Sequence, residues 1–132
     1  MGINIKGIIY YKITESNVNS NIFGEFIDNL IEKLTDTQKD NSLIILDNAK
    51  VHKTNEIINK YKEKNLKILT NIPYKSNYNG IEYCFGHFKN EYYRFILKDK
   101  IEQKSKIVEI LNSDAIKENI PSFLLQNLIF RK

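Results

Sequence analysis

The first third of the chain combines an apolar, strand-like segment with an amphipathic helix. Residues 3–13 are rich in Ile and Tyr and predict one strand or a bent strand pair. Apolar side chains then recur at helical spacing, which predicts a helix with Asn19 or Ser20 as its N-cap. The apolar stripe of this helix consists of Phe23, Phe26, Ile27, Leu30, Ile31 and Leu34. Residues 35–41 are polar and predict a charged loop.

The segment from residue 42 to residue 70 predicts a strand, a short helix and a second strand. An uninterrupted apolar run ends in Asp47 and predicts a buried strand over residues 42–47. After a loop, Thr54 is the expected N-cap of the short helix. Its expected inward-facing side chains are Ile57, Ile58 and Tyr61. Residues 66–70 predict another buried strand, so the whole segment predicts a parallel, right-handed crossover.

The second half of the chain is predominantly helical in pattern. Residues 71–80 contain Pro73 and predict a structured loop. A long helix is expected over residues 81–97, with an apolar stripe formed by Ile81, Cys84, Phe85, Phe88, Tyr92 and Phe95. Two shorter helices are expected over residues 105–111 and 121–129. Pro121 is expected at the first helical position, where its missing N–H needs no partner.

Composition restricts the class of protein. A chain of 132 residues with 42% hydrophobic and 27% charged residues predicts one globular domain, residues 1–132. The single cysteine, Cys84, excludes an internal disulfide framework, and its place on an apolar stripe predicts a core position. No apolar run approaches the ~20 residues of a membrane span, and no signal-peptide pattern is present. An intracellular protein without membrane contact is expected, in the nucleus of a eukaryote or the cytoplasm of a bacterium.

Two carboxylates are the leading candidates for chemistry. Asp47 follows the first buried strand, at the edge where open α/β sheets present functional groups, and Glu82 lies in the first turn of the long helix. Thirty-four residues separate them. Carboxylate oxygens are the ligands that hard divalent cations prefer. The structural alternatives are that the Asp caps a turn or helix and that the Glu complements a helix dipole.

Two motifs carry a resemblance to a known family. Residues 46–52 read Leu-Asp-Asn-Ala-Lys-Val-His and match the pattern Leu-Asp-Asn-Ala-x-x-His. Residues 73–82 resemble the pattern Pro-Tyr-Ser-Pro-x-x-Asn-Pro-Ile-Glu, and Lys89 follows seven residues after Glu82. These patterns are the second and third acidic segments of mariner-type DDE transposases and related bacterial insertion-sequence transposases, in which the same gap is typical. The resemblance covers about residues 3–94.

The resemblance implies a ribonuclease H-like α/β fold, an incomplete mixed sheet flanked by helices. It also implies Mg²⁺- or Mn²⁺-dependent DNA cleavage and strand transfer at transposon ends, with three carboxylates holding two ions. Asp47 matches the second acid and Glu82 the third, so both are expected to be catalytic metal ligands. Supporting roles fall on Asn48, His52 and Asn79. The basic side chains expected to line a DNA-binding surface are Lys50, Lys53, Lys75, Lys89 and Arg94.

The chain departs from the family pattern upstream of Asp47. The family's first Asp lies on the first strand of the fold, whereas residues 3–13 resemble the third strand and contain no Asp or Glu. Glu15 and Asp28 fall in a turn and on a helix, where the family has no ligand. We therefore expect a partial catalytic domain without its first strands and DNA-binding region. Such a chain should bind metal weakly and have little or no strand-transfer activity alone.

Alternative functions and partners stay open at this stage. The formal net charge of +4 permits DNA binding but argues for it only weakly. The second hypothesis is a non-catalytic remnant that binds DNA or a full-length transposase. The third is a small α/β domain unrelated to transposition. A homodimer through an exposed sheet edge is a further partner hypothesis.

Overall fold

The computed structural model of the chain describes residues 1–71 and 79–129, with side chains described as far as residue 121. Its contacts divide the chain into two compact units. The first unit consists of Met1–Gly2 and Ile9–Asn79, and the second of Ile3–Ile8 and Gly80–Lys132.

The N-terminal segment forms a strand pair, one of the two arrangements that its pattern predicted. β1 spans Gly2–Asn4 and β2 spans Gly7–Tyr10, and together they form a two-stranded sheet. In the turn between them, the Lys6 amide donates to the Asn4 side chain at 2.8 Å. The second strand then begins at a glycine with a φ of +134°, a conformation that residues with a Cβ rarely adopt.

The predicted amphipathic helix is confirmed as α1, Ser20–Glu32. Its N-cap is Asn19, whose side chain accepts a hydrogen bond from the Ile22 amide at 2.9 Å. The apolar stripe is buried in the first unit, and its most buried members are Phe23, Ile27, Leu30 and Ile31. Helical periodicity therefore identified both the helix and the face that it buries.

A second, short helix occupies a segment predicted to be a charged loop. α2 spans Asp36–Asn41 and has no buried residue. The Thr35 hydroxyl accepts from the Gln38 amide at 3.3 Å, and the Gln38 side chain accepts from the Thr35 amide at 2.9 Å. This reciprocal capping box satisfies two N–H groups at the start of the helix, so the loop prediction was wrong.

The predicted strand–helix–strand arrangement is confirmed in the first unit. Its elements are β3 (Leu43–Leu46), α3 (Asn55–Glu63) and β4 (Lys67–Thr70). The two strands pair in parallel, with Ile44 opposite Ile68. Parallel strands need a crossover connection of a dozen or more residues, and the segment containing α3 supplies it.

The crossover helix is fixed at both ends by particular residues. Thr54 is its N-cap, as predicted, and accepts a hydrogen bond from the Ile57 amide at 3.4 Å. Ile57 and Tyr61 are buried as predicted, but Ile58 is 37% exposed, so its predicted inward orientation was wrong. Adjacent helical residues point about 100° apart, so Ile58 cannot follow Ile57 into the core. Asn65, with a φ of 51°, then turns the chain towards β4.

One face of the β3–β4 sheet packs on the core, and the other face is exposed. The buried cluster consists of Phe23, Ile27, Ile31, Ile57 and Tyr61, and the strand residues packed against it include Ile44, Leu46 and Ile68. The exposed apolar residues of the strands are Leu43 (53%), Ile45 (43%) and Leu69 (45%). The prediction of buried strands therefore holds for one face only, because alternate side chains of a strand point to opposite faces.

The second unit contains three helices that contact one another. They are α4 (Ile81–Tyr92), α5 (Lys100–Leu111) and α6 (Asp114–Ile129). The buried apolar side chains on them include Cys84, Ile110, Leu111, Ile116 and Ile120. α4 ends before the predicted residue 97, so Phe95 lies beyond the helix, with the Lys106 ammonium 4.0 Å from its ring centroid.

Both C-terminal helices begin earlier than the sequence pattern predicted. α5 begins at Lys100 because the Asp99 carboxylate accepts hydrogen bonds from the Ile101 and Glu102 amides, at 2.7 and 2.9 Å. Pro121 lies inside α6, so its predicted first position was wrong. A proline in a helix interior removes one backbone hydrogen bond. None of the helices in the described ranges has the length and apolar composition of a bilayer-spanning segment.

A buried and an exposed isoleucine of the first unit should lose different amounts of folding stability when each is replaced by alanine. Ile57 is 1% exposed and Ile45 is 43% exposed. Ile57→Ala should lower the free energy of unfolding by about 2–5 kcal/mol, since it leaves a cavity in the core. Ile45→Ala should cost less than about 1.5 kcal/mol, because much of that side chain is already in water. Urea unfolding measures both losses of free energy, and equal losses would contradict the exposure of the sheet face that carries Ile45.

A carboxylate on α1 predicts a loss of stability in acid. Asp28 accepts from the Lys60 ammonium at 2.7 Å and pairs with Lys64 at 3.0 Å, which holds its pKa below the usual 3.8. The lowered pKa stabilises the fold above 3.8, and this stabilisation is lost as pH falls through the folded-state pKa. Because Asp28 is 39% exposed, we expect only about 1 kcal/mol.

Urea titrations of wild type and Asp28→Asn check this expectation. The difference in unfolding free energy should be near its full value at neutral pH and should shrink as the pH is lowered below 3.8. Asp36→Asn is the matched control, because Asp36 is fully exposed and its contact with Lys39 is 3.7 Å long. A difference for Asp28→Asn that persists unchanged in strong acid would contradict the ion-pair explanation.

Candidate active site

Asp47 directly follows β3, at the carboxyl edge of the parallel sheet. At this edge the Asn71 amide donates a backbone hydrogen bond to the Leu46 carbonyl at 2.7 Å. The Asp47 side chain is 55% exposed, so a ligand can reach it without opening the core. Its position is the one predicted from the apolar run that precedes it, and open α/β sheets bind ligands at this edge.

One oxygen of the Asp47 carboxylate has two close polar neighbours. Its Oδ1 accepts a hydrogen bond from the Ala49 amide at 3.1 Å and lies 2.8 Å from Nδ1 of His52. A hydrogen on Nδ1, in one of the two tautomers of neutral imidazole, would make this nitrogen a donor to the carboxylate. The Asp47 carbonyl oxygen lies farther from the same nitrogen, at 3.4 Å. Within the described part of the chain, Oδ2 of Asp47 has no hydrogen-bond or ion-pair partner.

His52 is itself held by the core of the first unit. It ends a 3-10 turn, Lys50–His52, and its side chain is 16% exposed. The centroid of the Phe23 ring lies 4.2 Å from that of the imidazole. The Tyr61 hydroxyl donates to the His52 carbonyl at 3.1 Å. Burial raises the pKa of Tyr61 to about 12, so the hydroxyl stays protonated and remains a donor at neutral pH.

The remaining residues predicted for the loops have simpler surroundings. Asn48 is half-buried, and its side chain makes no hydrogen bond to another described residue. Lys50 and Lys53 are exposed at the two ends of the 3-10 turn. Lys75 lies outside the described residues. Asn79 is half-buried just before α4.

The second predicted acid, Glu82, lies in the first turn of α4 and is exposed. The N-cap of α4 is Gly80, which offers no side-chain hydrogen bond, so a carboxylate here complements the helix dipole. Lys89 is exposed in the last turn of the same helix. Arg94 is exposed beyond the helix end, with its guanidinium 3.3 Å from the Glu91 carboxylate.

Cys84 behaves as a core residue, as predicted. Its side chain is fully buried on α4, and burial raises the pKa of its thiol. A raised pKa keeps the thiol protonated at neutral pH, and the thiolate is the reactive form. Cys84 is therefore unsuited to act as a nucleophile or a metal ligand.

The donor chemistry of the two acids suits a hard divalent cation. Asp47 offers an exposed carboxylate oxygen, and Glu82 offers an exposed carboxylate at a helix start. Among the described residues, no three His, Cys, Asp or Glu side chains gather in a cluster that could hold a metal ion. The sequence placed Phe23 and Tyr61 in the core but did not predict that they support His52 across the fold. No local signal marks them, because both also fit an ordinary core pattern.

Comparisons with known proteins bear on the family and the fold. A family model described as DDE superfamily endonuclease matches residues 1–105. The catalytic domain of Mos1 mariner transposase is 17% identical, with a TM-score of 0.72 over 97% of this chain and 70% of that chain. The Mos1 domain with raltegravir and Mg is 15% identical, with a TM-score of 0.71 over 97% and 71%. Its Mn counterpart is 18% identical, with a TM-score of 0.67 over 97% and 72%. A search of curated proteins finds no match.

These similarities agree with the motifs and with the order of elements. The structural likeness confirms the predicted ribonuclease H-like α/β fold. The family match covers well over half of the chain and includes both Asp47 and Glu82. The predicted resemblance to mariner-type DDE transposases is therefore confirmed. The chain belongs to the DDE superfamily endonuclease family and has the fold of a mariner transposase catalytic domain.

Proposed function

We propose that residues 1–132 are part of one DDE transposase catalytic domain whose substrate is DNA at transposon ends. The observation that carries this proposal is the surroundings of Asp47. The residue lies at the end of a parallel strand and its side chain is 55% exposed. Its Oδ1 accepts from the Ala49 amide and lies 2.8 Å from Nδ1 of His52. The bond from the Ala49 amide is one that a turn-capping Asp also makes. The exposure of the side chain and its place in a segment matched by the endonuclease family favour a catalytic carboxylate.

Asp47 in the first unit and Glu82 in the second are the residues that we propose as ligands of divalent cations, Mg²⁺ or Mn²⁺. Bound ions of this kind stabilise the attacking and leaving oxygens of a phosphoryl displacement. The protein's own contribution is to supply carboxylates on elements that limit their movement, one at a strand end and one in a first helical turn. The structures of the Mos1 catalytic domain with Mg and with Mn are consistent with that choice of ions.

We propose little or no strand transfer by this chain alone. The resemblance calls for three acids, and no Asp or Glu precedes Glu15 in the sequence. A site with two of three carboxylates has less negative charge and fewer ligands, so cation affinity falls. Weak cation binding with negligible turnover follows from that ligand count.

The proposed DNA contacts rest on exposed basic side chains that lie near the two acids in the sequence. In the first unit Lys50 and Lys53 are exposed on the turn that follows Asp47. In the second unit Lys89 and Arg94 are exposed on and after α4. Lysine and arginine contacts to phosphates position a protein on DNA without reading its sequence.

A second candidate function is DNA binding, or binding to a full-length transposase, without catalysis. The observation that favours it is the formal net charge of +4, combined with the exposed lysines. In that case Asp47 would contribute to the loop structure alone. The two candidates differ in whether the Asp47 carboxylate is needed to bind a cation, which the following experiment measures.

Asp47→Asn should lower Mn²⁺ affinity by at least about tenfold, because the substitution removes a carboxylate ligand. Isothermal titration of the whole chain measures this affinity. A nuclease and strand-transfer assay on the same samples should show no more activity for the wild type than for Asp47→Asn. Asp40→Asn is the matched control, since Asp40 is exposed on α2 and the Lys67 ammonium bonds its carbonyl oxygen, which the substitution keeps.

Equal Mn²⁺ affinity in wild type and Asp47→Asn would contradict the metal role and favour the non-catalytic module. DNA cleavage by the wild type that disappears in Asp47→Asn would contradict the proposed inactivity, while supporting the site. A loss of affinity in Asp40→Asn would mean that overall charge, rather than a ligand, controls cation binding.

Replacing Lys50 and Lys53 with Gln should weaken DNA binding by about tenfold at ~0.1 M salt, because two phosphate contacts are lost. The slope of log affinity against log salt should fall by about 2. The matched control is Lys98→Gln with Lys104→Gln, which removes the same charge from exposed positions elsewhere. Fluorescence anisotropy with labelled duplex DNA measures both. An equal loss in the two double variants would contradict a localised surface and indicate a general charge effect.

A further inference from the structure

The contacts of His52 converge from three separate elements of the first unit. The centroid of the Phe23 ring, from α1, lies 4.2 Å from that of the imidazole. The Tyr61 hydroxyl, from α3, donates to the His52 carbonyl at 3.1 Å. The imidazole Nδ1 lies 2.8 Å from Oδ1 of Asp47, at the end of β3. A side chain only 16% exposed is thus packed by the core and directed at an exposed carboxylate.

We propose that His52 is a positioning residue for Asp47 and that it presents Oδ2 of the carboxylate to a divalent cation. This inference rests on the proposed function, which makes Asp47 a metal ligand. The Ala49 amide donates to Oδ1, and Nδ1 of His52 lies 2.8 Å from the same oxygen. With its hydrogen on Nδ1, the imidazole would be a second donor and would restrict rotation of the carboxylate. Oδ2 remains available, because it has no partner among the described residues. Asp47 would therefore bind a cation through one oxygen.

The physical advantage lies in the exposure of Asp47. A carboxylate that is 55% exposed would otherwise sample several rotamers, and binding a cation would have to restrict them. His52 restricts them beforehand, since the imidazole is itself fixed by Phe23 and by the turn that Tyr61 holds. Residues that orient a metal ligand typically change metal affinity by 10–100-fold when they are replaced. The packed core therefore also limits the movement of the Asp47 carboxylate.

The alternative is that the contact between His52 and Asp47 only stabilises the loop. The two explanations differ in what the folded protein does. A purely structural contact changes the free energy of unfolding but leaves the cation affinity of the folded chain unchanged. A positioning contact changes the affinity, and a side chain that restores the N–H donor at the same place restores it.

The first measurement is made on the wild-type chain and needs no metal. Nitrogen-15 NMR of the histidine rings at about pH 8, above the ordinary pKa of histidine, reports which ring nitrogen carries the hydrogen. We expect Nδ1–H for His52 in the wild type and a smaller share of Nδ1–H in Asp47→Ala, where the backbone carbonyl of residue 47 is the acceptor that remains. Glu56→Gln, which removes an exposed carboxylate from the first turn of α3, is the matched control and should leave the signal unchanged. An Nε2–H ring in the wild type overturns the proposal.

The second measurement is Mn²⁺ affinity of the whole chain by isothermal titration, with thermal unfolding measured on the same samples. His52→Leu should lower the affinity by about tenfold or more, since the donor is lost. His52→Asn should stay within about threefold of the wild type, because its amide N–H can replace Nδ1–H. Glu56→Gln should leave the affinity unchanged.

Each outcome decides between the explanations. Unchanged affinity in His52→Leu overturns the positioning role and leaves the proposed function standing. Equal losses in His52→Leu and His52→Asn also overturn it, because the donor would then not be what matters. A wild-type chain that binds no Mn²⁺ removes the proposed function, and the positioning role is rejected with it. If His52→Leu does not fold, the ring-nitrogen measurement and His52→Asn still decide.

Discussion

Parallel pairing between β3 and β4 is the constraint on which the first unit depends. Strands that run in the same direction cannot be joined by a tight turn, so the chain crosses over through α3. The crossover places Ile57 and Tyr61 against one face of the sheet, where the stripe of α1 completes the core. The same pairing brings the carboxyl ends of both strands to one edge. Asp47 lies at that edge because it is the next residue in the chain.

Elements with a strong, self-contained signal could be predicted from the sequence. The helical period of Phe23, Ile27 and Ile31 identified α1 and its buried face. Asn19 and Thr54 were identifiable as caps because their side chains reach amides three residues ahead. Family patterns around the two acids predicted the fold, which the structural likeness to Mos1 confirms. These signals are local in the chain or are carried by a motif.

Features that depend on residues distant in sequence could not be predicted. An apolar run is consistent with burial on one face or on two, so exposed Leu43 and Ile45 gave no signal of their own. α2 depends on a reciprocal contact between two polar side chains in a segment without an apolar stripe. The support of His52 comes from α1 and α3, 29 and 9 positions away in the chain. The family motif identified His52, but it could not identify the residues that hold His52 in place.

Tyr61 has two roles, which together affect how readily the turn at His52 opens. Its ring is part of the core, while its hydroxyl holds the turn that carries His52. The His52 amide is also bonded, at 3.1 Å, to the Ala49 carbonyl within that turn. Opening of the turn at His52 therefore disturbs the neighbouring peptide group that Tyr61 holds. Exchange of the His52 amide hydrogen should be slower than that of an amide in a surface loop that no core side chain holds.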